Sequence, residues 1–418
     1  MTETTTQRCT TEPIVYHGWD ALKLKNQMLE VVAVPEIGGR MMQFKLGPHD
    51  FVFRNPELLG KRFTFEEHAG DGTILNWKNY GGEKVWPAPQ GWNHAGQWAG
   101  PPDPVLDGGR YTAEMNTPQA SIRMVSPPDT QRTGLRVTRE ITLYEDDARL
   151  QFNLCFENMI ERPIQWSIWQ IAQLDCALDR DGKMIPNNNC WLYIPTNQHP
   201  PYQVMFGDKN PQLHGEIAPG LMAVEFLGIV GKIGVTNTAG WVAFADQTND
   251  FVACIRFDYQ QGMEYPDGGA SIECWTESPG ASSPIPIRSP GYLMEAEILS
   301  PLFTLQPGES KNFTTVWCAA HCPGPIIDVT EIGCVHQILK AVKSGEWVNI
   351  QGVFGCFVTG KTELIWLDST HKIVGKTDLG IGSPLKTLLI NQVEAYPENA
   401  AQVQLRLRDV ALAQTSII

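Results

Sequence analysis

The sequence predicts an all-β protein, and three observations carry that expectation. Charged residues make up only 19% of the 418, while glycine and proline number 38 and 30. That balance suits many short strands and turns better than long solvent-facing helices. Apolar residues recur in short runs or with period two, as strands require. Clusters of Gly, Pro, Asn and Asp punctuate the runs, and many short strands in such a rhythm predict a sandwich or barrel.

The elements follow in order. Residues 29–34 form a near-continuous apolar run stopped by Pro35 and Gly38–Gly39. Residues 41–45 alternate, and 50–54 follow a turn at Gly47–Pro48. Segments 121–125, 135–144 and 150–157 read as successive antiparallel strands, with turns at Pro127–Asp129 and at 145–147. Segments 164–174, 231–236, 241–245, 251–258, 271–276, 292–299 and 310–319 continue the pattern. Residues 78–114 and 196–220 break it, and irregular stretches of that length tend to carry function. Near the end, Ile332, Val335, Leu339 and Val342 fall on one helical face, with Asp328 or Thr330 to cap it and Gly345 to close it. Strands then resume at 348–358, 363–367, 388–395 and 403–407. The expected plan is a disordered tail over 1–13, a β-sandwich over 14–322, a linking helix over 323–346 and a small β-rich domain over 347–418.

The net charge of −14 argues against nucleic acid or an anionic membrane as partner. No apolar run approaches the ~20 residues of a membrane span. No basic segment followed by an apolar core opens the chain, so a cytoplasmic location with reduced cysteines is expected. Cys318, His321 and Cys322 lie close together, but no second Cys/His cluster accompanies them, and no metal is expected. Phosphate-binding and dinucleotide glycine motifs are missing, so no cofactor is expected either.

Four segments carry candidate chemistry. Arg40 leaves the Gly38–Gly39 turn, either to pair structurally with a carboxylate or to meet a ligand. Residues 76–92 interleave Tyr80, Glu83, Lys84, Trp86, Gln90 and Trp92. Aromatic rings stack on the apolar faces of sugars while Gln, Lys and Glu ligate hydroxyls, so this stretch suits a polyhydroxylated ligand; it also suits a loop with its own small core. His94 is either an acid–base group or merely a solvated loop residue, and Asp107 precedes two glycines in a turn. Glu273, Trp275 and Glu277 share one strand face. Burial beside an aromatic ring raises a carboxyl pKa, which suits proton exchange. Glu295 and Glu297 repeat that spacing.

Residues 29–47, with Pro35–Glu36–Ile37–Gly38–Gly39–Arg40 at their centre, resemble the opening hairpin of the galactose-mutarotase-like (aldose 1-epimerase) superfamily. Glu295–Ala296–Glu297–Ile298–Leu299–Ser300–Pro301 and the Pro307–Gly308–Glu309 turn resemble its closing strands. Residues 14–320 are also similar to the DUF4380 family, which shares the Asn79–Lys84 and Trp86–Trp92 stretches. The resemblance implies an antiparallel supersandwich with one carbohydrate site on its concave face, and leaves the C-terminal β appendage outside. It implies a Glu base at Glu273 and histidine acids. One histidine position reads Leu106–Asp107–Gly108–Gly109 here, with Asp107 in place of His. The other falls near Trp166–Ser167–Ile168–Trp169–Gln170, without a His; Trp169 and Gln170 become substrate-binding candidates with Arg40 and Trp275.

The expected function is a carbohydrate-active protein, an isomerase of the aldose 1-epimerase type. Glu273 would be its base, and Asp107, His94 or Lys84 its acid. The alternative is a carbohydrate-binding or sensing protein without turnover. Glycan cleavage would instead need two carboxyls ~5 Å apart across a cleft.

Overall fold

Strands with side chains pointing alternately inward and outward build most of the protein. Leu135–Leu143 and Arg149–Asn158 bury every second residue, which is the signature of a sheet with one wet face. Ile164–Asp175 is buried almost throughout, because one face meets the core and the other lies beneath a covered cavity. The computed structural model describes residues 9–94, 96–145, 147–197, 202–207, 213–283, 286 and 288–418.

Among the described residues the strands form two large antiparallel sheets. The 12-stranded sheet runs through Thr10–Tyr16, Trp19–Lys25, Leu29–Val34, Arg40–Leu46, Glu83–Ala88, Ile164–Asp175, Leu293–Leu299, Ile272–Glu277, Gly231–Val235 and Tyr202–Phe206. The 10-stranded sheet faces it, and Val137, Phe152, Ile168, Ile233, Ile298 and Trp317 interdigitate between the two. One polar chain crosses this apolar layer. Arg139 pairs with Glu83, Gln170 donates to Glu83 Oε1 at 2.9 Å, and Thr315 donates to Gln170 Oε1 at 2.6 Å. The predicted all-β sandwich is therefore the observed class.

The ends of the chain depart from expectation. Thr10–Tyr16 pairs with Trp19–Lys25, so the expected tail is already a strand from Thr10; residues 1–8 lie outside the described residues. So do residues 198–201 and 208–212 of the irregular 196–220 stretch, which otherwise supplies the Tyr202–Phe206 and Leu213–Ala218 strands, and Asp146 of the expected 145–147 turn. The linking helix does not form. Gly333–Ser344 is a strand, hydrogen-bonded to Trp347–Cys356. Val335, Leu339 and Ala341 point inward with period two, while Val342 is 46% exposed. Register shifts around Gln337 interrupt the alternation, leaving apolar spacings that imitate a helical face. Gly345, the expected helix terminator, sits at φ +65° in the two-residue turn between Ser344 and Trp347.

The C-terminal module thus begins near Asp328 and consists of two four-stranded sheets. It packs on the outer face of the 10-stranded sheet, where Val252, Cys254, Cys318 and Ala320 meet Cys334, Phe354, Cys356 and Trp366. Nine of the ten cysteines are buried.

Candidate functional site

The face of the 12-stranded sheet that turns away from the core carries a cavity of about 530 Å³. Register explains its lining. Trp86 lies opposite Trp169, and Ile171 and Gln173 lie opposite Glu297 and Glu295. Glu273 and Trp275 then lie opposite Glu297 and Glu295, and Lys232 lies opposite Trp275. Side chains at alternate positions of five neighbouring strands therefore rise on one face. Trp77 before the Glu83–Ala88 strand and Gln90 and Trp92 after it, with Asp267, Ser289 and Phe206, complete the walls. A larger open groove of about 770 Å³, lined by Ile14, Leu22, Tyr111 and Met115, has only Asp20, Glu36 and Arg110 as charged lining.

Two lysines organise the floor, Lys84 buried and Lys232 partly so. Lys232 Nζ stands 2.6 Å from Glu273 Oε2 and 3.0 Å from Glu297 Oε2, and 4.2 Å above the Trp169 ring. Burial would pull its pKa down, but the two carboxylates outweigh burial and raise it. Lys84 Nζ donates to Glu295 Oε1 at 2.9 Å and lies over the rings of Trp86 and Trp77 at 4.5 and 5.4 Å. Here desolvation dominates, and the lysine pKa is lowered. Gln173 adds a second donor to Glu295 Oε1 at 2.7 Å.

Carboxyls outnumber these cations. Glu277 lines the cavity and accepts from Trp275 Nε1 at 3.0 Å. Burial pushes its pKa up to about 7, with the Glu295 charge adding to the shift. Glu273 and Glu297 are raised by burial, against the pull of Lys232. Asp267, held at φ +52° in a turn beside Gly268 and Gly269, is raised by burial as well. Glu297 Oε1 and Glu273 Oε1 are buried without a hydrogen-bond partner among the described residues.

The residues singled out in the sequence divide into three groups. Trp86, Gln90, Trp92, Trp169 and Trp275 line the cavity, Trp92 at a rim position with 78% exposure. Glu273 and Lys84 lie just beneath the lining, Glu273 behind Lys232 and Lys84 under Trp77 and Trp86. The rest serve the scaffold. Arg40 is fully buried, bound to Asp107 and to the Gly81 carbonyl, with its guanidinium 5.9 Å from the Tyr80 ring; the structural reading of Arg40 is the observed one. Tyr80 is buried against Trp19, and Glu83 and Gln170 belong to the polar chain between the sheets. Asp107 is buried with both oxygens engaged, by Arg40, Trp86 Nε1 at 2.9 Å and Trp77 Nε1 at 2.8 Å. It holds two cavity tryptophans from behind rather than facing a ligand. His94 is exposed outside the cavity, its Nδ1 accepting from Gly96.

The opening glycine turn fits this scheme. Gly38 has φ +75°, a Cβ there would strike the Asp107 carbonyl, and its N–H donates to Gly109 at 2.8 Å. The turn is the seat of the Asp107 loop. Lys232 and Asp267 had no signal in the sequence beyond a lysine in a short strand and an Asp-Gly turn. Glu277, Glu295 and Glu297 had one, the period-two spacing of acids on buried strands.

Residues 20–320 match the model of a family described as a domain of unknown function, DUF4380. Among solved structures, the chain is similar to a protein from Klebsiella pneumoniae subsp. pneumoniae MGH 78578 proposed to be an aldose 1-epimerase. The identity is 13% over 74% of this chain and 83% of that one, with a TM-score of 0.50. It is also similar to Slr1438 of Synechocystis sp. PCC 6803, at 12% identity over 77% and 100% of the two chains and a TM-score of 0.48. A galactose mutarotase-like protein from Lactobacillus casei ATCC 334 aligns at 11% identity over 71% and 99%, with a TM-score of 0.44. The likeness is one of fold, the mutarotase-like β-sandwich. Among curated proteins, no relative matches the chain.

Proposed function

The chain belongs to the DUF4380 family, and we propose that it binds a carbohydrate in the cavity of the 12-stranded sheet and exchanges protons at the sugar's anomeric centre. One observation carries this reading. Glu277, whose carboxyl pKa burial raises to about 7, and Glu295, bound by Lys84 and Gln173, share a cavity walled by tryptophans. They are diagonal cross-strand neighbours, since Glu295 lies opposite Trp275, two residues before Glu277. Such neighbours are ~7–8 Å apart at the backbone, which leaves room for a sugar ring between their carboxyls.

The chemistry balances. Glu277 donates its proton to the ring oxygen as the bond from C1 to that oxygen breaks. Glu295 takes the proton of the anomeric hydroxyl, and the open-chain aldehyde results. Rotation about C1–C2 and the reverse transfers give the other anomer. Trp275 and the rim residue Trp92 offer ring faces for the apolar side of the sugar, while Lys232 holds the Glu273 and Glu297 carboxyls on the floor. This moves the roles expected of Glu273 and Asp107 onto Glu277 and Glu295, which line the cavity.

Carbohydrate binding without turnover is the second reading. What favours it is that no histidine lines the cavity among the described residues. One experiment separates the two. Freshly dissolved α-aldoses are followed by one-dimensional NMR with and without protein, while tryptophan fluorescence reports saturation. Faster anomer exchange that is lost in Glu277→Gln supports the isomerase. Saturation with an unchanged exchange rate supports the binder. Neither effect across a broad panel of sugars rejects both.

A further inference from the structure

We propose that the sugar this cavity takes carries a free amine, and that its ammonium sits at the end of the floor where Glu297 and Asp267 line the cavity. The inference rests on the carbohydrate reading above and names its ligand class. It starts from charge. The floor holds five carboxyls, Asp267, Glu273, Glu277, Glu295 and Glu297, against two cations, Lys84 and Lys232. Lys84 is committed to Glu295, and Lys232 to Glu273 and Glu297. Neither rim cation makes up the difference. Arg288 pairs with Glu57 at 3.5 Å, and the Lys78 ammonium lies 5.1 Å from the Phe63 ring.

The second observation is independent of the count. Glu297 is fully buried, lines the cavity, and leaves Oε1 without any hydrogen-bond donor among the described residues. A buried carboxylate oxygen left unpaired costs free energy, so the site is built to receive a donor there. A hydroxyl supplies the donor but leaves the surplus charge. An ammonium supplies donor and charge together, and the Trp275 ring in the wall adds an electrostatic attraction that a hydroxyl lacks. Without a ligand, protons play that part, in keeping with the raised pKa values of Asp267, Glu273, Glu277 and Glu297.

The test measures the affinities of D-glucose, N-acetyl-D-glucosamine, D-glucosamine and D-glucuronate by calorimetry at neutral pH on the full chain. D-Glucosamine is expected to bind about tenfold more tightly than D-glucose, the scale of one ammonium–carboxylate and cation–π contact. D-Glucuronate is expected to bind most weakly. Glu297→Gln, and separately Asp267→Asn, each remove one carboxyl from the ammonium site and should shrink the glucosamine-to-glucose ratio several-fold. Two variants are used so that a folding failure of one leaves the other to decide. Equal affinity for D-glucose and D-glucosamine overturns the inference and leaves the carbohydrate reading standing. A preference for D-glucosamine that both variants retain in full also overturns it, because the amine would then be read elsewhere. Saturable binding of none of the four overturns the inference together with the reading beneath it.

Discussion

Arg40 and Glu277 show how differently two charged residues can be used within one sheet face. Arg40 is buried and consumed by Asp107, which in turn holds the indoles of Trp77 and Trp86. Removing one partner of a buried pair strands the other. Arg40→Ala should therefore lose about 3–5 kcal/mol in denaturant melts, and it should shift tryptophan emission because both indoles lose their anchor. Glu277 has a raised folded-state pKa of about 7 against an ordinary 4.5. The folded protein then binds more protons than the unfolded chain between these values, so stability falls as pH rises from about 4.5 through 7 and levels off above. The full span is on the order of 3 kcal/mol. Melts of Glu277→Gln across pH 4 to 8 should lack most of that fall; an unchanged profile means that another carboxyl carries it. Of the residues at this scale, the cavity tryptophans were legible because Trp in a Gly/Pro-rich stretch has few uses. Lys232 was not, since its meaning comes from Glu273 and Glu297 on strands about 40 and 65 positions away.

At the scale of elements, the segment from Gly333 to Ser344 is the instructive case. Its sequence satisfies a helical face through Ile332, Val335, Leu339 and Val342, with lysines and a glycine placed as a helix end requires. The hairpin partner Trp347–Cys356 and the apolar back of the 10-stranded sheet reward period two instead, and tertiary burial overrides local pattern. The two arrangements make opposite demands of neighbouring positions. Val342 is half exposed and Ala341 is buried. Val342→Lys should be nearly neutral, within about 0.5 kcal/mol, whereas Ala341→Lys buries an unpaired charge and should cost about 3 kcal/mol or more. Urea melts decide it, and the reverse ranking would restore the helix. Strands such as Ser121–Val125 and Leu388–Ala395 agreed with expectation because their own alternation and flanking turns suffice to specify them.

At the scale of the molecule, the C-terminal module is an integral part of the sandwich. Besides the shared apolar layer, Ala148 donates to the Phe357 carbonyl at 2.8 Å, His321 to the Pro384 carbonyl at 2.7 Å, and Arg408 meets Asp147 at 2.8 Å. A chain ended at residue 322 would expose Val252, Cys254, Cys318 and Ala320 on the back of a sheet. It should melt about 10 °C or more below the full protein in calorimetry, or fail to stay in solution; an unchanged melting temperature would mean the contact is incidental. The sequence by itself determined the all-β class, most of the strands and the glycine turn at Gly38–Gly39, because period-two burial and turn chemistry are local properties of the chain. Only the tertiary structure decided that this turn seats Asp107, that five carboxyls and two lysines from five segments share one floor, and that the last apparent helix is a strand. Those outcomes depend on which strands become neighbours, and cross-strand register is set by packing between residues far apart in the chain.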